Sequence, residues 1–304
     1  MTTTKRDLSL IALLVTVVLW ASAFVGIREL GDTFTPGALT LGRLIVGAIA
    51  LTFIARPHRQ PFPTGRPLAL VILYGVLWFG VYNIFLNAGE RHLDAGTSAL
   101  LVNIAPALVA LMAGFLLKEG FPRALIIGIV VAFAGVALIA VGASDSSSTS
   151  TASTAGVLLC VGAAIVYAIS VLAQKVVLQS VEPVMSVWLG CVIGMIMCVP
   201  FAGSLVHQLG DASTHDVLWL AYLGIFPTAI GFSTWSYALK RLSSGQTTST
   251  TYLVPAVATL ISWIVLDEVP AALAFVGGAM CLIGVAITRA KRRQPKAETV
   301  PARP

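Results

Sequence analysis

Ten stretches of about twenty apolar residues, separated by short connections that carry Pro, Gly or charge, dominate what this chain can fold into. They run over 8–27, 36–55, 68–89, 95–117, 124–142, 155–174, 184–203, 216–239, 246–266 and 271–288. A bilayer core about 30 Å thick needs roughly 20 apolar residues per helical crossing. The pattern therefore predicts an all-α membrane protein with ten transmembrane helices. Composition closes off the alternatives, since 57% of the 304 residues are hydrophobic and 11% charged, against about 25% charged in a soluble domain. A water-soluble surface is excluded, and so is a disordered chain, which is rich in charge and poor in apolar side chains. The net charge of +6 is small and eight basic residues lie from Lys240 onward, so no nucleic-acid partner is expected.

Basic residues set the orientation. Sixteen Lys and Arg fall on the side of the N-terminus and the even-numbered connections, and two, Arg28 and Arg91, on the other. Both termini are expected in the cytoplasm of a multi-pass plasma-membrane protein, a bacterial inner membrane being the natural setting. The run from Arg289 to Arg293 reads as a stop-transfer anchor, with lipid head-group contact as the alternative. Lys5-Arg6 followed by Ala21-Ser22-Ala23 has the outline of a signal peptide. Trp20 stands where small residues would precede cleavage, however, and the first run is expected to be retained. Cys160, Cys191, Cys198 and Cys281 all sit in apolar runs without CxxC spacing. They are expected as buried thiols, with no disulfide, metal or cofactor.

The chain repeats itself at an offset of 149: Gly75 maps to Gly224, Arg91 to Lys240, Pro106 to Pro255, Glu119 to Glu268, Gly128 to Gly277 and Gly135 to Gly284. Spans 1 and 6 align at 147, pairing Trp20 with Tyr167. The expected organisation is a five-helix repeat over 1–143, a Ser/Thr-rich linker over 144–154, a second repeat over 155–290 and a basic tail over 291–304. Five is odd, so the second copy enters the membrane from the opposite side. Inverted repeats of this kind place a substrate site near the midplane between the halves.

These residues also carry a family resemblance. Gly96-Thr97-Ser98-Ala99-Leu100-Leu101 running to Pro106 and Lys118-Glu119 resembles the span-4 signature of the drug/metabolite transporter superfamily, EamA type. Gly245-Gln246-Thr247 through Tyr252-Leu253-Val254-Pro255 to Asp267-Glu268 is similar to its span-9 counterpart. Trp20-Ala21-Ser22-Ala23-Phe24 and Arg43 fit the same family, and nearly the whole chain is covered. The resemblance implies a ten-helix exporter of amino acids or other small metabolites, nearest to the amino-acid and aromatic-metabolite exporters. Export of other metabolites or of drugs, with or without proton coupling, is the alternative it leaves open.

A central cavity needs small residues for close helix approach and a few polar or aromatic groups for the ligand. The expected substrate-binding residues are Trp20, Tyr82, Asn83, Asn103, Tyr167, Trp235 and Tyr252. Expected structural or gating residues are Arg43, Pro106, Pro255, Glu119 and Glu268. The stripes carrying Asn103 on span 4 and Tyr252 on span 9 read equally as a packing seam or a cavity wall. The two prolines are expected to free the carbonyls of Val102 and Thr251. Trp78 and Trp219 read as packing or interfacial belt residues. Arg43 lies about 10 Å along its helix from Pro36. It is expected to pair with Glu29, Asp32 or Asp94, the alternatives being to snorkel outward or to meet a substrate carboxylate.

All thirteen carboxylates lie outside the spans or at their ends, and no GxxxxGK[ST] sequence occurs. An intramembrane enzyme would need paired acids, an activated serine or metal-ligating histidines near the midplane, so no catalytic or metal-binding residue is expected. The expected partners are a small-molecule substrate and the lipid bilayer, with a monomer as the simplest assembly. Lacking a titratable group plainly inside a span, the carrier is expected to be facilitative, with Glu119 or Glu268 as the competing proton-exchanging gate.

Overall fold

The computed structural model describes residues 3–56, 61–116, 123–146, 150–242, 247–248, 250–268 and 270–289. Glu119, the Gly245-Gln246 pair and the tail from 291 onward lie outside the described residues. Among the described residues the regular structure is entirely helical. We number the helices α1 (Thr3–Glu29), α2 (Pro36–Ala55), α3 (Arg66–Gly89), α4 (Ala95–Val102), α5 (Ala105–Leu116) and α6 (Arg123–Ser146). The second half supplies α7 (Ser150–Val177), α8 (Pro183–Met197), α9 (Ala202–Asp211), α10 (Thr214–Arg241), α11 (Leu253–Leu266) and α12 (Ala272–Arg289).

Local sequence explains where several of these begin. Pro36 and Pro183 occupy the first turns of α2 and α8, where a missing N–H costs nothing. Asp94 caps α4 by accepting from the Thr97 N–H at 2.8 Å, and Ser213 with Asp216 forms a reciprocal capping box on α10. Among the described residues five helices are long and apolar enough to cross a bilayer, and α8 with the segment Val199–Asp211 makes a sixth if that pair, bent by 54°, is one span. The sequence reads 184–203 as one straight run. Pro200, inside the 3-10 turn Val199–Phe201 at the bend, lacks the donor a continuous helix requires. Four shorter apolar helices, Ala95–Val109, Ile126–Ile139, Leu253–Leu266 and Ala272–Gly284, fall on the remaining apolar runs.

The repeat is written into the backbone. The middle of α3 is π-helical over Gly75–Tyr82, and the middle of α10 over Gly224–Gly231, the same register at the same offset of 149. Side chains stitch the widened turns back together. Asn83 donates its amide to the carbonyls of Trp78 and Phe79, both at 3.0 Å, and the Thr228 hydroxyl donates to Leu223 O at 2.8 Å.

The equivalent helices α6 and α12 cross through glycines. A Cβ on Gly284 would stand 2.5 Å from Gly128 O, and one on Gly277 2.6 Å from Gly135 O. Gly128 and Gly277 are equivalent, as are Gly135 and Gly284, so the contact is reciprocal and the helices run antiparallel. At its centre the Cys281 thiol reaches Ala132 O at 3.2 Å, and these two positions also differ by 149. Such a self-matching contact is what a two-fold relation between halves produces.

At these glycines the crossing leaves no room for a side chain. Gly277→Leu should lower stability in detergent by about 1–3 kcal/mol, read as an earlier thermal or denaturant midpoint. Gly203→Leu, where a Cβ meets nothing within 4 Å, should leave that midpoint in place.

Candidate substrate cavity

Helices of both halves line a cavity with about 590 Å³ of empty space, the open mouth included. α1 supplies Trp20, Phe24 and Ile27, and α3 supplies Trp78, Tyr82, Asn83 and Leu86. The π-helical turn explains the α3 set. Its i→i+5 bonding widens the turn, so residues four and five apart share a face, and Trp78, Tyr82 and Asn83 all reach the cavity.

Aromatic rings form one wall. Trp78 meets Tyr167 and Phe232, each at 5.1 Å between ring centroids, while Trp20 meets Phe232 at 5.2 Å and Tyr167 at 6.4 Å. Trp20 and Tyr167, paired by the looser alignment of spans 1 and 6, thus do meet across the cavity. Trp78 is 1% exposed, so it is no belt residue, and it belongs with the lining that sequence reasoning assigned to others. Its spacing four residues before Tyr82 was the available signal. Trp219 stands elsewhere, donating its indole N–H to His215 Nε2 at 3.0 Å.

Two expected binding residues sit behind the wall. Trp235 is 0% exposed and lies outside the lining. Its ring lies 5.0 Å from Trp20 and its N–H donates to Gln174 Oε1 at 3.2 Å. Gln174 in turn donates to Ser236 at 2.9 Å, so this polar group ties α7 to α10. Tyr252 is half-buried at the start of α11 and also outside the lining, where its neighbours Thr251 and Val254 take part.

Both prolines stand at helix breaks rather than inside continuous helices. The chain turns at Asn103–Ile104 before α5 and at Thr251–Tyr252 before α11, so Pro106 and Pro255 fall in first turns, where they are tolerated. Pro106 lines the cavity and Pro255 does not. Val102 and Thr251, whose carbonyls were expected to be freed, both line it. Asn103 ends α4 with its amide donating to Ala99 O at 3.2 Å. Its Oδ1 and the Trp20 N–H are both buried without a hydrogen-bond partner among the described residues.

Arg43 lines the same cavity and is 3% exposed. It donates Nε–H to Thr228 Oγ1 at 3.2 Å, a hydroxyl held by the second π-helix. Among the described residues no carboxylate lies within ion-pair distance of it. The expected partners are engaged or elsewhere, since Asp94 caps α4 and Glu29 faces His215 at 3.9 Å. Insertion of a central arginine costs about 2.5–3.5 kcal/mol, and the Thr228 hydroxyl supplies one polar contact against that cost.

At one end of the cavity a salt bridge joins the two halves. Beyond Ile27, Arg28 pairs with Glu268 Oε1 at 2.8 Å and donates to the backbone O of Glu90 at 3.0 Å. Glu90 follows Leu86 by one helical turn and is 1% exposed. It stands at the end of its span, as the sequence places every acid, yet it is buried. The spacing Tyr82, Leu86, Glu90 continues the inward stripe of α3 and could have marked it.

Known proteins give this cavity its context. The EamA-like transporter family matches residues 7–141 and 154–290. A relative from Streptantibioticus cattleyicolor, described as "Probable terminal-alkyne amino-acid exporter", is 36% identical over 93% of this chain and 95% of its own length. YdfC of Bacillus subtilis, an uncharacterised transporter, is 33% identical over 90% of this chain and 88% of its own. A crystal structure sharing 20% identity aligns with a TM-score of 0.63 over 92% of this chain and 96% of that one, and so shares the fold. The chain belongs to the EamA-like transporter family and is a membrane transporter, not an enzyme.

Proposed function

We propose that this transporter exports small amino acids with apolar or aromatic side chains across the plasma membrane, by alternating access of the cavity between the two repeats. In this reading the ten apolar runs are ten crossings and both termini are cytoplasmic. The observation that carries the substrate class is Arg43, a buried cation in the cavity wall with no carboxylate partner. A substrate carboxylate completes it. The Trp20 N–H offers that carboxylate a further donor, and Asn103 Oδ1 offers the substrate ammonium an acceptor. Trp78, Tyr167 and Phe232 provide a rigid apolar face for the side chain. The name of the Streptantibioticus relative supports the same class. A cationic drug would meet a cation in the wall, which favours the amino-acid reading over drug export. Transport is facilitative, driven by the gradient of the substrate itself.

Proteoliposomes preloaded with unlabelled phenylalanine should accumulate labelled phenylalanine by counterflow above protein-free vesicles. Counterflow absent for phenylalanine and for leucine would refute the amino-acid reading. Arg43→Met should weaken apparent affinity roughly 10- to 100-fold, the value of a charge-assisted hydrogen bond worth about 1.5–3 kcal/mol. It should also abolish the preference for phenylalanine over its decarboxylated amine, measured by competition. Trp78→Ala should impair counterflow severalfold, whereas Trp219→Ala, outside the cavity, should leave it close to the parent rate.

A further inference from the structure

Glu90 is the buried acid that substrate binding leaves unused. Its carboxyl is surrounded on every side. Arg28 approaches from the end of α1, Glu268 from the connection after α11, and Asp94 from the start of α4. Arg43 on α2, Tyr82 on its own helix and the Cys160 thiol on α7 are the deeper ionisable neighbours. Arg91 and His92, next in sequence, are exposed. Despite this company, neither carboxyl oxygen has a hydrogen-bond partner among the described residues. Arg28 directs one N–H to Glu268 and another to the main-chain oxygen of Glu90 itself, passing over the side chain. An ionised carboxylate buried without partners costs several kcal/mol, and a guanidinium so close would turn to it. Burial without an ion-pair contact favours the neutral acid, which costs far less to desolvate than the carboxylate.

We propose that Glu90 is a proton-binding site, occupied while this end of the bundle is closed and emptied when the end opens. Opening separates Arg28 from Glu268, which joins the first repeat to the second, and water then reaches residue 90. The carboxyl releases its proton to that water, and closing takes one back from the same compartment. Because the proton enters and leaves by one end, the site makes transport pH-sensitive without making it proton-driven.

The sign follows from burial, which pushes the Glu90 carboxyl well above the usual carboxylate range in the closed state, with Glu268 and Asp94 adding to the rise and Arg28 and Arg43 opposing it. In the open, hydrated state it returns toward the ordinary carboxylate range. Between the two values, each pH unit upward favours the open state about tenfold. Acid therefore holds this end shut.

The test needs no transported substrate, so it stands or falls apart from the amino-acid reading. Ile27→Cys places a thiol at the cavity end beside Arg28. A membrane-impermeant maleimide is applied separately to each face between about pH 5 and about pH 8, with Glu90 intact or replaced by Glu90→Gln, which mimics the neutral acid. Dividing one rate by the other removes the thiol's own ionisation. The ratio should rise with pH by up to about tenfold per unit, from the face that the basic-residue asymmetry makes external. Labelling from the other face would overturn the orientation alone, whereas a ratio flat with pH would overturn the proposal. As a check free of variants, dicyclohexylcarbodiimide, which attacks protonated carboxyls, should modify Glu90 but not the exposed Glu182 near neutral pH. Peptide mass spectrometry showing Glu90 unmodified would equally refute it.

Discussion

A backbone carbonyl or N–H left unpaired in hydrocarbon costs several kcal/mol, and this chain departs from α-helical bonding where its cavity is built. The π-helical turns at Gly75–Tyr82 and Gly224–Gly231 and the breaks at Asn103–Ile104 and Thr251–Tyr252 all disturb the regular pattern. Asn83, Thr228 and Asn103 each direct a side-chain donor to nearby backbone oxygens. The same three residues line the cavity or hold Arg43 beside it. Backbone repair and ligand recognition are thus performed by one set of polar groups, which is why so few of them suffice in so apolar a bundle.

Much of this was legible in the sequence. The offset of 149 is visible in glycines and prolines because those residues answer to backbone geometry, and geometry is what the two halves share. Trp20 and Tyr167 were named from the repeat alignment, Asn103 and Pro106 from a stripe on span 4, and Tyr82 and Asn83 as polar or aromatic residues of span 3, and all six line one cavity. Trp235 and Tyr252 were named by the same logic and stand outside it. Helical spacing identifies a face, but it cannot say whether that face meets a void or another helix, and Gln174 decides the matter for Trp235.

The π-helical turns mark a second limit. Spacing arguments assume 3.6 residues per turn, and an i→i+5 turn changes the register beyond it. Asn83, five residues after Trp78, reaches the cavity beside it for that reason, whereas Trp78 itself was read as a packing or belt residue although its four-residue spacing from Tyr82 was visible. Arg43 failed differently. Its expected acids are on the correct side of the bundle, but Asp94 is drawn to an N-cap four residues of backbone cannot otherwise provide. Glu90 shows the reverse case, where a residue that reads as a loop acid is enclosed because the end of α1, the start of α4 and the connection after α11 converge on it.

The glycine crossing of α6 and α12 carries a mechanical meaning. Contacts that map onto themselves under the exchange of halves are the same before and after that exchange, so in the alternating-access reading proposed above Ala132 and Cys281 would keep their neighbours while residues far from them trade surroundings. The crossing would then be the part of the bundle that moves least.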